Sequence, residues 1–581
     1  AQSVKLGFKI ERDADHARDA VEIDLPLKPD REPTRRYEVV EIAAGENKTL
    51  PTVSDGLRPE SFSRKIVLAG DPAVVKLVAG LNALVEYPYG CTEQRLSLAR
   101  SGLALKGFSP ILAAAGLEGR ISANVKTTAQ AVEQSIDGDG LVAFWPRAPG
   151  DVSLTAWSYA FLVEAEKAGE PVDKTLLDRL ANVLKNSLRS DYPRLLRGDE
   201  LRERVEALNA LAEGGLLDES YVAEFSRQAD FLPNISVAEM ASAAAKATAT
   251  SGGAAQNIGG ASDARAVASL LDAMWARVKF LQRGGALVYG GQAADGGSPI
   301  IPPSESRALA EMTRAAFLAA PGDPRAPVLR EALLRLGEGD GWGSTDADAA
   351  AIRALAEGWR RPANPIKLTL TQGTGAPQAR TLDANTPALN YASGENTPLV
   401  VANGSNAPVI ALVETSFEPS EPGAKAPARA QGFALTTTLW RVNPGDAPPS
   451  KMEPSDGGVI ALKQGDVIEE TAELVNPQDR THVAISLPLP AGFEPLNPNI
   501  ATAPREARPS TAPTLAPSWT SYGDDLVFYA YDSLPKGNYR FAFRAKAQTV
   551  GAFTQPSGVV ETMYKKGVSG ASAGLRVEIA K

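Results

Sequence analysis

The spacing of apolar residues changes twice along this 581-residue chain. Up to about residue 68, runs such as Val4–Ile10 and Tyr37–Ile42 alternate apolar and polar side chains, which is the period of β-strands. A helical period begins where Asp71 can cap a helix that has Pro72 at its first position. Strand-like runs return after Pro365. This order predicts a helical block between two β blocks.

The helical block is rich in alanine and extends to about residue 360. Its apolar residues recur three and four positions apart, as in Leu154, Trp157 and Phe161, and again from Val267 to Leu281. We count roughly a dozen such segments with short loops between them, and paired helices in this number favour hairpins stacked in a ring. The sequence therefore predicts an α/α toroid, including one helix that runs from residue 267 to residue 281.

The β block after the helices has two parts, separated by a Pro-rich run from Glu418 to Gln431. Short apolar runs with turn residues between them are typical of a β-sandwich. The predicted strands are residues 366–370, 399–401 and 409–414 before the Pro-rich run, and residues 433–442, 467–475, 483–487, 526–531, 539–547 and 575–579 after it.

The composition excludes several classes of protein and of site. A net charge of −9 and the lack of any run of Lys or Arg argue against nucleic-acid binding. A single cysteine cannot form an intrachain disulfide, and with two histidines it cannot complete a tetrahedral metal site, so we expect no metal. Without an apolar run of about eighteen residues or a signal peptide at residues 1–4, we expect a mature or excised piece that does not span a membrane.

The single cysteine, Cys91, stands three positions before Gln94. If its thiol displaces ammonia from the Gln94 carboxamide, the product is an internal thioester, an acyl group that reacts with amines or hydroxyls. Gly90 suits the tight turn that would press the two side chains together. The alternative interpretation is a small buried hydrophobic residue at the start of a helix.

The string from Pro88 to Gln94, Pro-Tyr-Gly-Cys-Thr-Glu-Gln, resembles the thioester signature of the α2-macroglobulin and complement superfamily, and in particular its bacterial branch. The resemblance implies a thioester between Cys91 and Gln94, with Gly90 and Glu93 supporting the motif. It also implies four segments: the first part of a CUB-like β domain at residues 1–68, an inserted α/α toroid thioester domain at 69–362, the second part of the β domain with a linker at 363–430, and a terminal macroglobulin-like β-sandwich at 431–581.

A thioester must be hidden from water until it is needed, and aromatic or sulfur-bearing side chains exclude water well. Tyr87 and Tyr89 lie just before Cys91, and Trp145 lies in an early loop of the helical block, although ordinary packing would also explain all three. In the terminal sandwich, Met563 and Tyr564 resemble the pair that covers the thioester in bacterial α2-macroglobulins. The alternative for this pair is a solvent-exposed turn.

The two histidines, His16 and His482, both fall in β regions, and we expect both at the surface. In some complement proteins of the superfamily, a histidine of the ring attacks the thioester first and redirects the acyl group to hydroxyls. Without such a histidine we expect direct reaction with amines, which on a protein means lysine side chains.

The resemblance implies that the full protein traps proteases. A protease would cut a bait region, which is not recognisable in this chain, and the exposed thioester would then acylate a lysine of that protease. The protein would be a single-use endopeptidase inhibitor of bacterial defence, not an enzyme, and it would need no cofactor beyond its own cross-link. Further expectations are a periplasmic location, anchoring of the full-length protein to the inner membrane as a lipoprotein, a partner in peptidoglycan synthesis, and contact with the protein's remaining N-terminal domains.

Two other functions remain open at this stage. A toroidal carbohydrate-active or cyclase-like enzyme would need paired carboxylates in a central cleft and gives the Cys-Thr-Glu-Gln motif no role. A structural binding module would carry the motif without ever forming the thioester.

Overall fold

The computed structural model of the protein describes residues 3–26, 31, 33–189, 196, 200–251, 260–293, 301, 303–357, 365–445, 447–455 and 457–581. The predicted boundary between residues 362 and 363 lies outside these described residues. The chain begins with an antiparallel hairpin of β1 (Ser3–Glu11) and β2 (Arg18–Pro26), whose strands pair only with each other. One face of this hairpin is apolar and exposed, and Phe8 on that face is 56% exposed. The hairpin therefore lies apart from the sheets that follow.

The predicted strands before the helical block are present, with one further short strand. Their bounds are β3 (Thr34–Ile42), β4 (Asn47–Leu50) and β5 (Ser63–Ala69).

Thirteen α-helices lie in the described part of the chain. They are α1 (Pro72–Glu86), α2 (Thr92–Ala104), α3 (Ser109–Ala114), α4 (Ile121–Gln134), α5 (Val152–Lys167), α6 (Lys174–Ser187), α7 (Glu200–Glu213), α8 (Glu219–Ser226), α9 (Asn234–Ser251), α10 (Gly260–Trp275), α11 (Glu305–Ala319), α12 (Arg325–Leu336) and α13 (Thr345–Glu357).

The predicted helix from residue 267 to residue 281 is wrong in its last part. Helix α10 ends at Trp275, and the chain continues as a hairpin of β6 (Val278–Arg283) and β7 (Ala286–Gln292). Gly284 and Gly285 connect the two strands with φ values of 56° and 80°, which a two-residue hairpin turn requires. The apolar spacing alone fits either structure, whereas the Gly-Gly pair favours the hairpin.

The helices contact one another in cyclic order. Helices α2, α5, α7, α9, α11 and α13 form a closed sequence of neighbours, because α13 also packs against α2. Helices α1, α4, α6, α8 and α10 each contact two of these in turn, and α12 contacts α11 and α1. The inner helices are buried on nearly all sides, as α13 illustrates, whereas α6 of the outer set buries one face.

The strands that follow the helices complete the sheets begun before them. They are β8 (Ile366–Gln372), β9 (Gln378–Leu382), β10 (Ala388–Ser393), β11 (Leu399–Asn403) and β12 (Val409–Phe417). One sheet has the order β10-β5-β12-β3 and the other β4-β11-β8-β9, with antiparallel pairing. Since strands from both sides of the helical block share these two sheets, the block is an insertion between them.

The rest of the chain is a second β unit with its own core around Tyr529, Phe541 and Phe543. All six predicted strands are present. The strands are β13 (Arg429–Gln431), β14 (Ala434–Arg441), β15 (Ser450–Lys451), β16 (Val459–Lys463), β17 (Val467–Asn476), β18 (Arg480–Pro488), β19 (Phe493–Leu496), β20 (Trp519–Tyr522), β21 (Leu526–Leu534), β22 (Gly537–Ala547), β23 (Gly551–Gln555), β24 (Val559–Thr562), β25 (Ser569–Ala571) and β26 (Leu575–Ala580).

The predicted fold class is confirmed at the level of a multidomain chain with helices and mostly antiparallel sheets. The last β unit, which we call the terminal sandwich (residues 429–580), packs against the helices through a separate apolar cluster. This cluster contains Cys91 of the helical block together with Met563 and Tyr564 of the terminal sandwich.

Candidate functional site

The Cys91–Gln94 segment is the first turn of helix α2. Helix α1 ends at Glu86, Tyr87 is extended, and Cys91 takes the N-cap position of α2 with φ −64° and ψ 166°. Gly90 lies outside the left-handed region, so the turn does not need the special backbone freedom of glycine. A Cβ at Gly90 would lie 3.0 Å from Nη2 of Arg95, whose Nε donates to the Gly90 carbonyl oxygen at 2.8 Å. The lack of a side chain there leaves space for Arg95.

Cys91 and Gln94 form a reciprocal capping box at this helix end. The backbone N–H of Cys91 donates to Oε1 of Gln94 at 3.0 Å, and the backbone N–H of Gln94 points at the Cys91 side chain. The two residues are only 1% and 4% exposed. Each side chain therefore reaches the backbone N–H of the other residue, within one turn of the chain and in a site closed to bulk water.

Thr92 holds this turn against the loop between α4 and α5. Its backbone N–H donates to the carbonyl oxygen of Phe144 at 2.9 Å, and its hydroxyl donates to Oγ of Ser135 at 3.0 Å. The next residue of that loop is Trp145, so the same contacts bring Trp145 beside Cys91.

Glu93 is completely buried and accepts hydrogen bonds from three hydroxyl groups. Thr345 at the start of α13 donates to Oε2 at 2.8 Å, and Tyr564 of the terminal sandwich donates to the same oxygen at 2.7 Å. Ser97 donates to Oε1. Burial, followed by the nearby Asp346, raises the pKa of the Glu93 carboxyl to about 7, against the opposing effect of the three donors. Sequence reasoning gave Glu93 only a supporting place in the motif.

Met563 and Tyr564 lie over the capping box. They are part of a turn after β24, but their side chains are only 5% and 8% exposed. Nε2 of Gln94 lies 3.8 Å from Sδ of Met563, and the Tyr87 hydroxyl donates to the Met563 carbonyl oxygen at 2.6 Å. The alternative of a solvent-exposed turn is wrong for these two side chains.

The aromatic residues singled out in the sequence surround this turn. The rings of Tyr87 and Tyr89 meet edge-on with 5.7 Å between centroids, and Tyr89 contacts Phe528 at 5.3 Å. Trp145 stacks on Trp519 at 4.4 Å with an interplanar angle of 8°. Sequence reasoning missed Phe528 and Trp519, although Phe528 falls within a predicted strand. The structure brings all nine sequence-predicted site residues to one place.

His482 corrects a prediction made from the sequence. It was expected at the surface, but it is 4% exposed in β18, where its ring meets Tyr564 edge-on at 5.0 Å and Phe144 at 5.3 Å. The pairing of β18 with β21 skips this residue, whose φ is 51°, and the irregularity turns it into the cluster. Burial lowers its pKa to about 4, so its ring is neutral near pH 7. His16, in contrast, is exposed as predicted.

The environment of the Cys91 thiol keeps it uncharged. Burial, with a smaller contribution from the negative Glu93, raises the pKa of the thiol well above its usual range. A free thiol here would be a poor nucleophile unless a base removed its proton. Among the described residues, no group of His, Cys, Asp and Glu side chains could hold a metal ion. The helices described here include none that is long and apolar enough to cross a bilayer.

Comparison with known proteins finds similarity to bacterial α2-macroglobulins in sequence and in fold. Residues 432–566 match the family described as the bacterial α2-macroglobulin MG10 domain. An α2-macroglobulin homolog from Nostoc sp. is 24% identical over 269 residues, which is 43% of this chain and 13% of that protein.

Two solved structures share the fold over the whole chain. The crystal structure of Salmonella α2-macroglobulin reacted with methylamine matches with a TM-score of 0.75 at 18% identity. The match covers 100% of this chain and 36% of the Salmonella chain. The crystal structure of native Escherichia coli α2-macroglobulin from domain MG7 to the C-terminus matches with a TM-score of 0.74 at 18% identity. This match covers 100% of this chain and 88% of the Escherichia coli chain. The chain thus spans about a third or less of the longer relatives. These findings bear out the resemblance: residues 432–566 match a bacterial α2-macroglobulin domain, and the fold of the chain is similar to the C-terminal portion of bacterial α2-macroglobulins.

Proposed function

We propose that this chain is the thioester-bearing part of a protease-trapping bacterial α2-macroglobulin, in which Cys91 and Gln94 join in an internal thioester. The observation that carries the proposal is the buried capping box of these two residues beneath Met563 and Tyr564. A buried thiol that faces a carboxamide, beneath a cover from another domain, is the arrangement that a protected acyl group requires.

The chemistry of capture follows from this arrangement. When the cover withdraws, the neutral ε-amine of a lysine attacks the Gln94 carbonyl carbon, an amide bond forms, and the carbon–sulfur bond breaks. The Cys91 sulfur leaves as a thiolate and takes up the proton that the amine loses. The acyl group is spent in this step, so each molecule acts once and the protein is an inhibitor, not an enzyme.

The proposal assigns a role to each segment. The cyclic helices would be an α/α toroid thioester domain at residues 69–362, inserted in a CUB-like domain whose parts are residues 1–68 and 363–430. The terminal segment, residues 431–581, would be the macroglobulin-like sandwich that covers the thioester. The shared sheets of β5 with β10 and of β4 with β11 support the insertion. The hairpin β1–β2 lies within residues 1–68 but pairs with neither of these sheets.

The partners and the location belong to the whole protein and are part of the same proposal. The targets would be proteases captured through lysine, after cleavage of a bait region outside this chain. The protein would act in the bacterial periplasm, anchored to the inner membrane as a lipoprotein, beside a partner in peptidoglycan synthesis. A structural relative was solved after reaction with methylamine, which supports amines as the reacting class.

The rival interpretation as a toroidal enzyme needs paired carboxylates in a cleft. The cavity of about 510 Å³ beside Tyr289 has a single carboxylate, Glu305, among the described residues that line it. The cavity beside Phe144, which reaches Arg202, Glu206 and Arg307, has a volume of about 10 Å³. That space is roughly enough for one water molecule and far too small for a sugar ring.

The intact mass of the native protein tests the proposal. Thioester formation releases one ammonia, so the mass should be lower by roughly 17 Da than the sequence requires, and no thiol should titrate before denaturation. Methylamine should then release one thiol per chain and add its own mass. A full equivalent of free Cys91 beside an intact Gln94 in never-denatured protein would contradict the proposal and favour a binding module without a thioester.

A further inference from the structure

Glu93 is a buried carboxyl group that shielding of the thioester does not explain. It lies within α2, and its hydrogen-bond partners come from three elements: Ser97 of α2, Thr345 of α13 and Tyr564 of the terminal sandwich. Among the described residues, the charge that most raises its pKa after burial is that of Asp346, and Arg307 lies 3.5 Å from Asp346. Burial of a carboxyl group is costly, so an apolar side chain would fill this space with less penalty.

The Tyr564 hydroxyl connects this carboxyl group to the reacting sulfur. It donates to Oε2 of Glu93 at 2.7 Å. Tyr564 also belongs to the same buried cluster as Cys91, and its hydroxyl is one of the groups that lower the pKa of the Cys91 thiol against the effect of burial. Burial and the neighbouring Glu93 raise the pKa of Tyr564 well above its usual range, so its hydroxyl keeps its proton. A neutral hydroxyl can accept a proton from one side while it donates its own to the other.

The carboxamide is already oriented for attack. The Cys91 backbone N–H donates to Oε1 of Gln94 at 3.0 Å, which is the oxygen that gains negative charge when sulfur adds to the carbonyl carbon. The leaving nitrogen, Nε2, faces Sδ of Met563 at 3.8 Å. What the thiol and the carboxamide still need is a group that removes one proton and returns it.

We propose that Glu93, acting through the Tyr564 hydroxyl, moves the proton that thioester closure requires, so that the docked terminal sandwich makes the bond as well as covering it. This inference rests on the proposed function, because it concerns how the proposed thioester forms. Glu93 acts through Tyr564 and is therefore a positioning residue for proton transfer.

The step balances without any further reactant. The Cys91 S–H proton passes to the Tyr564 oxygen while the Tyr564 proton passes to Oε2 of Glu93, and the sulfur adds to the Gln94 carbonyl carbon. The carbon–nitrogen bond then breaks as Glu93 returns a proton to the Tyr564 oxygen and the Tyr564 hydroxyl gives its own proton to the departing Nε2 of Gln94, which leaves as ammonia. The overall change is thiol plus carboxamide to thioester plus ammonia, with no change in oxidation state.

The acidity of Glu93 suits this task. Its pKa of about 7 lies far above that of an ordinary glutamate, and a proton carrier is most effective when its pKa is near the working pH. The charged or titratable groups that face it are Cys91, Tyr564 and Asp346. Of these, Asp346 forms an ion pair with Arg307.

The rate of thioester closure can be measured on the native chain after ammonia has opened the bond. Ammonia opens the thioester and restores the Cys91 thiol and the Gln94 carboxamide, and its removal allows closure to be followed by thiol loss and by mass. Four proteins are compared from about pH 5 to pH 9: the wild type, Glu93→Gln, Tyr564→Phe and Lys565→Ala. Lys565 is exposed beside Tyr564. It lies outside the proposed proton path from Cys91 through Tyr564 to Glu93, which we call the relay, so Lys565→Ala is the matched control. Circular dichroism and the unfolding midpoint report whether each variant is folded.

We expect the thioester to close at the same rate in the wild type and in Lys565→Ala. The plot of this rate against pH should have an inflection near pH 7. Glu93→Gln and Tyr564→Phe should close roughly 100-fold more slowly, which is typical of lost general acid–base catalysis, and Glu93→Gln should lose the inflection. A folded variant purified with no closed fraction at all would also support the relay, provided that Lys565→Ala is fully closed.

The outcomes separate the two proposals. If the wild type never carries a thioester, the proposed function itself fails. If the wild type carries it, and folded Glu93→Gln and Tyr564→Phe close at the wild-type rate with the same pH profile, the relay is wrong while the proposed function stands. Should one variant fail to fold, the pH profile and rate of the other still decide the result.

Discussion

Tyr564 combines two roles in one side chain. Its ring packs edge-on against His482 at 5.0 Å and closes the cluster above Cys91, whereas its hydroxyl donates to Glu93. The ring excludes water because of its apolar area, and the hydroxyl provides a polar contact between the terminal sandwich and α2. Removing the whole side chain and removing only the hydroxyl should therefore have different effects.

Tyr564→Ala should increase the rate at which methylamine releases the thiol, measured on the fraction that carries the thioester. Loss of the ring contact and of the hydrogen bond each costs roughly 1 kcal/mol, so opening of the cover should become about 10- to 100-fold more frequent. Tyr564→Phe keeps the ring and should stay within a few-fold of the wild-type release rate.

The unfolding midpoint of each variant serves as the control for global damage. Equal release rates for Tyr564→Ala and the wild type, in folded protein, would show that this residue does not shield the thioester. Trp145→Ala is a second test of shielding outside the relay, because Trp145 stacks on Trp519 at the edge of the same cluster.

At the scale of single elements, the sequence predicts those helices and strands that are determined by nearby residues, such as a capping residue or an alternating apolar run. Asp71 accepts from the Ala73 N–H at 2.9 Å and Pro72 takes the first position, so α1 begins where the sequence places it. The strands of the terminal sandwich follow from alternating apolar residues in the same way. The end of α10 is the exception, because the apolar spacing there fits a helix and a strand equally well.

The positions of the site residues depend on contacts that no local signal reports. Glu93 bonds to Thr345 across 252 residues and to Tyr564 across 471 residues of sequence. Cys91 and Gln94 could be predicted because they are adjacent partners in one helical turn, and Met563 and Tyr564 because of a family resemblance. His482 could not, since its burial follows from an irregularity in β18 and from docking of the terminal sandwich.

The packing of helix α1 against Trp342, in the loop that precedes α13, leads to a prediction about stability. A Cβ added at Gly80 would lie 2.8 Å from Cζ3 of Trp342, whose Nε1 is fixed by the Leu333 carbonyl oxygen at 2.8 Å. Gly80→Ala would raise helix propensity by about 1 kcal/mol, but overpacking costs roughly 1–3 kcal/mol. We expect net destabilisation of about 1 kcal/mol, measured by denaturant unfolding.

Gly138→Ala is the matched control for this substitution, because no atom lies within 4 Å of a Cβ at that position. Its free energy of unfolding should change by less than about 0.5 kcal/mol. A stabilised Gly80→Ala would mean that the Trp342 loop moves aside easily, and the loop would then hold Thr345 less firmly than its contacts indicate.

At the scale of the whole molecule, the site exists only while the terminal sandwich is docked. Met563, Tyr564, His482 and Phe528 all belong to that sandwich, whereas Cys91 and Gln94 belong to the helices. A movement that exposes the proposed thioester by withdrawing the whole terminal sandwich would withdraw His482 together with Met563, whose N–H donates to the His482 carbonyl oxygen at 2.8 Å. The exposed thioester would then face water and substrate without a nearby imidazole.

This coupling leads to a prediction about selectivity. Once exposed by a protease, the thioester should form amides with methylamine far more readily than esters with glycerol. A hydroxyl at neutral pH needs a general base to become comparably nucleophilic, whereas an amine always has a reactive neutral fraction that grows with pH. Labelled methylamine and labelled glycerol compete in one experiment on the full-length protein, and the amide yield should rise as the pH rises.

His482→Phe decides whether the buried histidine contributes. Phenylalanine keeps an aromatic ring between Phe144 and Tyr564 but has no nitrogen that could accept the acyl group. If the sandwich carries His482 away, the ratio of amide to ester should be the same in the variant as in the wild type. A substantial ester yield in the wild type that disappears in His482→Phe would mean instead that the histidine stays beside the thioester and transfers the acyl group. The cover would then have to open by movement of the Met563–Tyr564 turn alone, while the rest of the terminal sandwich remained docked on the helices.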